Sequence, residues 1–560
     1  GQLAEMAVSE TGYGNPRDKL IKNLLAADLL PRSLRGMKTI GVLRELPEQK
    51  VTEVGVPVGV VAAILPTTNP TSTAIYKAII ALKAGNAIVV SPHPRAKRST
   101  CRTVDVLCRA AREAGAPDGI IQCIQNPTLE ATNVLMRHPR TGVILSTGGA
   151  GIVKAAYSSG KPAFGVGPGN VPVLVDASAD LPDAIRKVVA GKSFDYGTVC
   201  SSEQTVVAAR ELRDAILREL KANRAHLCDA AQQEALARVL LTPRLGVNPE
   251  CVGQSPVKIA RMAGFEVPPE TSILVTEIQG VGKEHPLSAE KLSPVLSLLF
   301  VNDFPAAVDA CEAILRFGGL GHTCAIHARD EARIREYGLR MPAFRVLVNT
   351  SAPQGSTGIT TNVQPAMTLG CGAIAGNITG DNISPLHLIN VKRIATWVRN
   401  PEDVLALNSA PAVSQASAAP VASVDRETVV AAVERYLANH GVATREGRPA
   451  PRPAAGVASQ IAASVVDRFL ASRRNPAQLP PAPAAGGSCA AGCTAPEPPA
   501  PQAPPAPEPQ VETVDFVCEN DVRMAIQQSR KIYIGPKTIV TPAARELAAP
   551  AGTLVMAKRT

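Results

Sequence analysis

Short apolar segments alternate with amphipathic stretches along residues 1–408, and this alternation constrains the fold more than any other feature. The candidate strands are Val58–Leu65, Ala87–Val90, Gly142–Leu145, Val171–Val175 and Ser272–Val275. Strands that alternate with helices are typical of largely parallel sheets covered by helices, so we predict an α/β fold. Thr39–Val56 departs from the pattern, because two extended arms flank a Pro-Glu-Gln turn, and it is a candidate hairpin arm.

The composition indicates a large aliphatic core in a reducing compartment. Of the 560 residues, 45% are hydrophobic and 3% are aromatic. Twelve cysteines at irregular spacings in so long a chain argue against a disulfide framework. No apolar run reaches the roughly 18 residues that a membrane span needs, so we expect no membrane segment. The chain begins at Gly1 within a helical pattern, which leaves open whether the native N-terminus lies upstream.

The net charge of +10 does not by itself indicate nucleic acid. Surfaces that bind nucleic acid cluster their cationic residues and often interleave them with aromatic side chains. Here the cationic residues are dispersed, and a polyanionic cofactor accounts for the basic balance equally well. We therefore expect no nucleic-acid partner.

The composition changes beyond the α/β region. Ser409–Val424 is rich in Ala, Ser and Pro and reads as a linker. Apolar residues at helical spacing predict amphipathic helices at Asp425–His440 and Ile461–Leu470. Pro476–Pro509 has the composition of a disordered segment, and Val511–Thr560 regains the signals of order.

Cys200 is the strongest candidate for a catalytic nucleophile. It ends the run Gly197-Thr198-Val199-Cys200, and a polar Ser-Ser-Glu-Gln run follows. A thiol on a glycine-containing turn can be presented to a cleft, and its thiolate is the strongest nucleophile among ordinary side chains. A single cysteine is more often a small buried hydrophobe, so the interpretation depends on the motifs around it.

Asn69 is the second catalytic candidate. It lies in Leu65-Pro66-Thr67-Thr68-Asn69-Pro70, between a candidate strand and a helix. An amide on such a turn can be aimed at a developing oxyanion. The alternative is an Asn-Pro turn that has no catalytic function.

Small and polar residues at the ends of the candidate strands are predicted to bind a cofactor. Open parallel sheets bind ligands beyond the carboxyl ends of their strands, and a helix N-terminus favours phosphate charge. The candidates are Pro66, Thr67, Ser91, His93, Pro94, Thr147, Gly148, Gly149 and Gly167. The run Leu145–Gly151 lacks the G-x-G-x-x-G spacing and is a weak signal by itself.

Two titratable residues complete the cofactor-binding candidates. Glu290 precedes an apolar strand, and its carboxylate could bind a ribose diol, although a lone Glu is more often a solvated charge. His322 lies in the flexible, glycine-rich turn Phe317–Thr323, where a structural or exposed histidine is the alternative. We predict no metal site, because Cys489 and Cys493 have no second pair of zinc ligands nearby.

Taken in order, these runs resemble the CoA-acylating branch of the aldehyde dehydrogenase superfamily. The matching runs are Pro66–Pro70, Gly197–Cys200 and Glu290–Pro294, and the resemblance covers about residues 1–400. It is greatest to the propionaldehyde and acetaldehyde dehydrogenases of bacterial microcompartments. It implies two doubly wound α/β domains, one cofactor-binding and one catalytic, with an oligomerisation arm and a mostly disordered C-terminal extension that carries short helices.

The resemblance also implies a mechanism and its cofactors, NAD and coenzyme A. Cys200 attacks the carbonyl of a short aliphatic aldehyde such as propanal or acetaldehyde, and Asn69 and the Cys200 N–H hold the oxyanion. Hydride transfer to NAD+ leaves an acyl-enzyme thioester, which coenzyme A accepts, while Glu290 binds a ribose. Hydrolytic family members carry a Glu that activates water. The matching run here, Gly165–Pro172, has no carboxylate, which favours transfer to coenzyme A.

The resemblance suggests an assignment of domains. We assign 1–182 to an NAD/CoA-binding domain with a hairpin arm near 39–56, 183–365 to a catalytic domain, 366–408 to a return segment to the cofactor and oligomerisation region, 409–510 to a linker with helices, and 511–560 to a small C-terminal module. We expect a homodimer or homotetramer.

The C-terminal extension suggests a location. Its short helices on Pro/Ala linkers resemble the encapsulation peptides by which microcompartment cargo docks on shell proteins. We therefore expect the lumen of a cytoplasmic microcompartment, with Ile461–Leu470 preferred to Asp425–His440 as the docking helix. A helix that packs back on its own oligomer is the alternative.

Other functions stay open at this point. One is a hydrolytic or phosphorylating semialdehyde dehydrogenase of the same fold. Another is a shell-bound scaffold whose enzyme unit is vestigial, and a nucleic-acid binder is a distant third.

Overall fold

The structure is a computed structural model, and it describes two parts of the chain. The described residues are 1–405 except 244, together with 514–517, 519–528, 530–548, 552–556 and the isolated positions 427 and 431. The chain divides into two compact units, residues 1–417 and 418–560. Apart from those two isolated positions, the helices predicted at Asp425–His440 and Ile461–Leu470 and the segment predicted to be disordered lie outside the described residues.

The strands and helices follow one another along both described parts. The strands are β1 (Gly41–Leu46), β2 (Val51–Pro57), β3 (Val60–Ile64), β4 (Ala87–Ser91), β5 (Ile121–Cys123), β6 (Thr141–Thr147), β7 (Ala163–Val166), β8 (Val171–Val175), β9 (Glu203–Ala209), β10 (Ala225–Leu227), β11 (Ile273–Glu277), β12 (Val295–Val301), β13 (Gly321–His327), β14 (Ala343–Val348), β15 (Ile389–Ala395), β16 (Val514–Val517), β17 (Ile532–Val540) and β18 (Leu554–Met556). The α-helices are α1 (Gln2–Thr11), α2 (Pro16–Leu24), α3 (Leu30–Ser33), α4 (Pro70–Lys83), α5 (Lys97–Glu113), α6 (Leu129–Arg137), α7 (Ala150–Tyr157), α8 (Leu181–Ser193), α9 (Arg213–Ala222), α10 (Ala230–Leu240), α11 (Pro256–Met262), α12 (Phe304–Ile314), α13 (Glu331–Arg340), α14 (Ala352–Ser356), α15 (Pro401–Leu405), α16 (Glu519–Gln527) and α17 (Pro542–Ala548). Among the helices described here, none is long and apolar enough to cross a membrane.

The first sheet has five parallel strands in the order β5-β4-β3-β6-β7. Val61, Ala63, Ile88, Ile144 and Leu145 on these strands are fully buried. Nearly continuous apolar runs are expected when helices cover both faces of a parallel sheet. The chain order reverses between β3 and β6, so the loops that follow these two neighbours diverge and leave a crevice at the carboxyl edge of the sheet.

The second sheet has seven parallel strands in the order β10-β11-β12-β9-β8-β13-β14. Together the two sheets confirm the predicted α/β fold. Because β8 pairs with both β9 and β13, the chain passes from the first sheet to the second between Val166 and Val171. The sheets therefore divide earlier in the chain than the domain boundary that we place at residue 182.

A three-stranded antiparallel sheet stands apart from these two. Hairpin strands β1 and β2 lie within the segment predicted as an arm, and β15 pairs along the free edge of β2. Val42, Val391 and Ile394 on this sheet are exposed. The chain returns to the arm after both parallel sheets are complete, so the arm depends on residues at opposite ends of the unit.

The second compact unit contains a small parallel sheet in the order β16-β17-β18. Helices α16 and α17 connect its strands, which gives a βαβαβ arrangement. Val517, Val522, Ala525, Ile532 and Ala544 form its buried core. The order predicted for this segment thus takes the form of a small α/β module.

We expect Gly321, the first residue of β13, to tolerate no side chain. Its φ is +75°, and a Cβ there would lie 1.8 Å from the carbonyl oxygen of Cys371. Gly36 is a matched control, since its φ is +76° but its Cβ would meet no atom within 4 Å. Gly36→Ala is predicted to cost about 1–2 kcal/mol through the left-handed backbone alone. Gly321→Ala should lower the melting temperature further, and equal melting temperatures in thermal unfolding would contradict the clash.

Candidate active site

A cavity of about 1150 Å³ lies between the two parallel sheets. Its walls come from loops that follow β3, β4, β6 and β7 and from loops that precede β9, β12 and β13. The predicted site residues that line it are Pro66, Thr67, Asn69, Ser91, His93, Pro94, Thr147, Gly148, Gly149, Gly167, Cys200 and Glu290. The fold therefore brings both predicted catalytic residues to one cavity. Of the predicted set, His322 alone is not among the lining residues.

Cys200 is half-buried on the turn between α8 and β9. Asp195 and Tyr196 in this turn have left-handed backbone angles, with φ of +48° and +52°. Residues other than glycine adopt such angles at a cost of order 1–3 kcal/mol, and they persist where neighbouring groups hold them. The turn that carries the thiol is therefore fixed by its surroundings.

The loop after β7 packs directly on the cysteine. A Cβ on Gly169 would lie 2.2 Å from the carbonyl oxygen of Cys200 and 3.2 Å from the imidazole of His322. This close approach of the two backbones requires glycine at position 169. The Gly169 N–H also donates to Oε1 of Glu290 at 3.2 Å, so the loop connects the thiol to the carboxylate.

The position of His322 differs from the expected flexible turn. It lies in β13, it is fully buried, and its Nε2 is 3.2 Å from Sγ of Cys200. Its Nδ1 is 2.9 Å from Oγ1 of Thr323, to which Arg345 donates at 3.2 Å. With the ring proton on Nδ1, the Nε2 lone pair faces the thiol. The strand pairing of β13 places this histidine beside the nucleophile, which its glycine-rich sequence context did not indicate.

Burial keeps both members of this pair neutral at rest. Burial raises the pKa of Cys200 to about 12, and the Glu290 carboxylate adds to the shift. Burial and the nearby Arg345 guanidinium lower the pKa of His322 well below its usual value. A neutral imidazole beside a neutral thiol can accept the thiol proton when the sulfur attacks.

Glu290 is also strongly affected by its burial, which raises the pKa of its carboxyl to about 8. The Gly169 N–H opposes this shift, as does the charged form of Lys192, whose own pKa burial lowers to about 7. Near neutral pH the group is therefore largely protonated, and it becomes an effective base only in alkaline solution.

A buried ion cluster lies behind the Cys200 turn. Oδ2 of Asp195 accepts from Nζ of Lys19 at 2.7 Å, from Nζ of Lys22 and from Oγ1 of Thr198 at 2.6 Å. Burial raises the pKa of Asp195, but Lys22 and Lys19 outweigh it and the net shift is downward. Lys22 also donates to Oδ1 of Asn69 at 2.5 Å, so the cluster contacts both predicted catalytic segments.

No sequence motif predicted this cluster. Lys19 and Lys22 share one face of α2 at an i, i+3 spacing, which ordinarily indicates solvated charges. Their partner Asp195 lies 176 and 173 residues away along the chain. Only the fold brings these charges together.

The cavity offers free polar groups and open backbone for a phosphate-bearing cofactor. The hydroxyl of Thr147, at the end of β6, is buried without a hydrogen-bond partner. Gly149 and Gly167 face open space, since a Cβ at either position would meet no atom within 4 Å. Ser91, in contrast, already shares its hydroxyl with Thr132 at 2.8 Å. Across the described residues, no group of three or more His, Cys, Asp or Glu side chains is placed to hold a metal ion.

Comparison with known proteins assigns the family. The family model described as "Aldehyde dehydrogenase family" matches residues 18–235. An acetylating aldehyde dehydrogenase from Geobacillus thermoglucosidasius, known from its crystal structure, is 48% identical to this chain with a TM-score of 0.71, and the match covers 71% of this chain and 88% of that one. The chain belongs to the aldehyde dehydrogenase family.

Two further relatives show how much of each protein the similarity covers. The bifunctional aldehyde-alcohol dehydrogenase AdhE of Escherichia coli is 43% identical over 403 residues, which cover 71% of this chain and 45% of that protein. The chain thus spans about half the length of the curated aldehyde-alcohol dehydrogenases it matches. A propionaldehyde dehydrogenase from the Clostridium phytofermentans fucose utilisation bacterial microcompartment is 29% identical with a TM-score of 0.63, and the match covers 70% of this chain and 88% of that one.

In this member of the aldehyde dehydrogenase family, we predict that Glu290→Gln lowers the pKa of Cys200. The substitution removes a negative charge that disfavours the thiolate, and it keeps an oxygen that can accept from the Gly169 N–H. The pH midpoint for alkylation of Cys200 by iodoacetamide should therefore fall. Cys200→Ala supplies the background alkylation of the other thiols. An unchanged or higher pH midpoint would contradict the effect of the Glu290 charge on the pKa of Cys200.

Proposed function

We propose that the chain oxidises a short aliphatic aldehyde with NAD+ and coenzyme A, giving an acyl-CoA and NADH. The observation that carries this proposal is the contact of 3.2 Å between Cys200 and His322, beside the cavity that Asn69 lines. This arrangement supplies a nucleophile and a base in contact with each other, and an amide donor in the wall of the cavity that Cys200 also lines. The acetylating family member from Geobacillus supports the acyl-transfer chemistry.

The cavity suits both implied cofactors. Thr147, Gly149 and Gly167 provide a free hydroxyl and unobstructed backbone at the carboxyl edge of the first sheet, and α7 begins there. We assign the ribose contact to Glu290 and further contacts to His93 and Pro94. NAD+ held by these residues supplies the hydride acceptor, and coenzyme A supplies the thiol that receives the acyl group.

The residues of the chain act in a defined order. Nε2 of His322 takes the proton of Cys200 as the sulfur bonds to the aldehyde carbon. The carbonyl oxygen becomes an oxyanion, which the amide N–H of Asn69 stabilises. Loss of hydride from this adduct leaves an acyl thioester on Cys200. His322 passes this proton to solvent, accepts the proton of the coenzyme A thiol as that sulfur bonds to the acyl carbon, and returns it to Cys200 as the bond from Cys200 to the acyl carbon breaks.

The surroundings of the thioester disfavour its hydrolysis. Gly165–Pro172 contains no carboxylate. Glu290 is the carboxyl group that acts on Cys200, and its raised pKa, about 8, keeps it largely protonated at pH 7. A protonated carboxyl cannot activate water, whereas a thiol brings its own nucleophile. The same reasoning disfavours a hydrolytic dehydrogenase as the alternative.

We predict that at pH 7 the enzyme releases about one NADH per active site and then stalls when coenzyme A is absent, because deacylation lacks a base. Adding coenzyme A should restore steady turnover. Rapid-mixing absorbance at the NADH band with propanal or acetaldehyde measures both phases. Cys200→Ala should abolish the burst while leaving NADH binding intact.

Other outcomes of this assay favour other functions. Sustained NADH production without coenzyme A would overturn the acylating proposal in favour of hydrolysis. A requirement for inorganic phosphate would favour a phosphorylating dehydrogenase. The absence of any burst would favour a scaffold with a vestigial enzyme unit.

We further infer that the protein is a homo-oligomer and the cargo of a microcompartment. The exposed apolar residues Val391 and Ile394 on the antiparallel arm support self-association. The family member from a Clostridium microcompartment supports the cargo role, with the shell as the partner and the lumen as the location.

We predict that deletion of residues 409–560 leaves kcat and KM unchanged and abolishes co-purification with shells, because the contacts that line the active cavity lie within the first unit. Deletion of 511–560 alone separates the α/β module from the two helices predicted before it. Deletion of Ile461–Leu470 alone should suffice to release the enzyme. Encapsulation that survives removal of the whole extension would refute the targeting role.

A further inference from the structure

The side chain of Asn69 does not do what an Asn ordinarily does at the start of a helix. Asn69 is the N-cap of α4, a position at which Asn normally accepts a hydrogen bond from a backbone N–H of the first turn. Here the side chain makes no capping bond. Its Oδ1 accepts from Nζ of Lys22 at 2.5 Å, and its Nδ2 donates to Oγ1 of Thr68 at 3.1 Å. The amide therefore bonds to Lys22 and Thr68 and not to the backbone N–H groups of α4.

Lys22 decides which way this amide faces. Its Nζ contacts Oδ1 of Asn69, Oδ2 of Asp195 and Oγ1 of Thr198. Burial lowers the pKa of Lys22 to about 7, while the nearby Asp195 carboxylate favours its charged form. In that form, three acceptors match the three N–H groups of the ammonium, which can donate but cannot accept. Oδ1 of Asn69 must therefore point to Lys22, and Nδ2 must point the other way. One N–H of Nδ2 serves Thr68, which leaves the second for the cavity.

The same lysine is anchored to the turn that carries the nucleophile. Asp195 and Thr198 both belong to the segment that ends at Cys200. Lys22, Asp195 and Thr198 are all buried, so these contacts are shielded from water. One ammonium group thus bonds to both sides of the site, the amide on the first sheet and the turn before β9.

We propose that Lys22 is a positioning residue that orients and polarises the Asn69 amide toward the oxyanion formed at Cys200. A cation that pulls on Oδ1 makes the Nδ2–H a stronger donor, because hydrogen bonds in a chain polarise one another. Without Lys22 the amide can rotate and present its oxygen to the oxyanion, which repels it. The proposal deepens the proposed function, but it requires only that Cys200 forms a tetrahedral adduct.

An activated ester tests this independently of both cofactors. The Cys200 sulfur bonds to the carbonyl carbon of p-nitrophenyl acetate, the ester C–O bond breaks, p-nitrophenolate leaves and the thiol proton goes to His322 or solvent. The burst rate of p-nitrophenolate release therefore reports formation of the adduct at Cys200 without either cofactor, and alkylation by iodoacetamide reports the reactivity of the thiol by itself. Asn69→Ala should slow this burst about 10²–10³-fold, the usual effect of removing one oxyanion donor.

The decisive measurement is a double-mutant cycle on the burst rate. We expect Lys22→Met to slow the burst on the order of 10-fold, and Lys22→Met with Asn69→Ala to be no slower than Asn69→Ala, since a positioning residue has no effect once its target is gone. Lys19→Met is the matched control. Lys19 is equally buried on α2 and also bonds to Asp195, but it contacts the Thr68 carbonyl and not the Asn69 side chain. The fold reductions in burst rate caused by Lys19→Met and Asn69→Ala should therefore multiply in the double mutant.

Several outcomes would overturn the proposal. One is an unaffected burst in Lys22→Met, and another is a slowing that persists in full in the Asn69→Ala background. A third is a parallel loss of Cys200 alkylation by iodoacetamide, which would show that Lys22 acts on the thiol turn instead. If Lys22→Met does not fold, Lys22→Gln and Lys22→Arg enter the same cycle. Lys22→Arg, which keeps the charged donor, should retain more of the rate than Lys22→Gln.

The failure of this proposal and of the proposed function can be told apart. Wild-type enzyme that gives an ester burst but no NADH from aldehyde, NAD+ and coenzyme A would refute the function and leave the Lys22 cycle to be judged by itself. Normal NADH formation, together with burst-rate reductions of Lys22→Met and Asn69→Ala that multiply in the double mutant, would refute the Lys22 proposal alone. A wild-type protein without any Cys200-dependent burst would refute both.

Discussion

The candidate site depends on the buried ion pairs that the Asp195 carboxylate forms. The carboxylate joins α2, through Lys19 and Lys22, to the turn that presents the nucleophile. Burying a charge costs several kcal/mol unless cations and hydrogen bonds replace its hydration. Asp195 has two cations, the Thr198 hydroxyl and the Asn15 N–H, which donates at 2.9 Å. These contacts also hold the left-handed backbone of the turn, so electrostatics and local geometry stabilise each other.

The two parallel sheets supply the rigid frame around that cluster. Their strands are aliphatic because helices cover them, and the candidate site side chains come from the strand ends and from the loops at the edges of the sheets. Burial serves the chemistry as well as stability. It removes water from Cys200, Glu290 and His322, and it shifts the pKa of each group in the direction that favours its neutral form. All three groups are thus largely uncharged near neutral pH.

The periodicity of the sequence was enough to predict the architecture, because strands such as β3, β6 and β8 are short apolar runs bounded by turn residues. The resemblance of the two motifs to those of the family, and not their spacing along the chain, implied that Asn69 and Cys200 meet at one site. Residues whose roles depend on distant partners were not accessible in this way. Lys22 looks like a surface lysine on α2, and His322 looks like part of a flexible turn. Only strand pairing and a partner 173 residues away reveal their surroundings.

The neutral resting state of Cys200 has a further consequence for the durability of the protein. Peroxides oxidise the thiolate far faster than the thiol, and sulfinic and sulfonic acids are irreversible losses. A thiol whose pKa is raised to about 12 by burial and by Glu290 exposes almost no thiolate at neutral pH. The burial that keeps the Cys200 thiol neutral is therefore expected to slow its oxidation by peroxides as well.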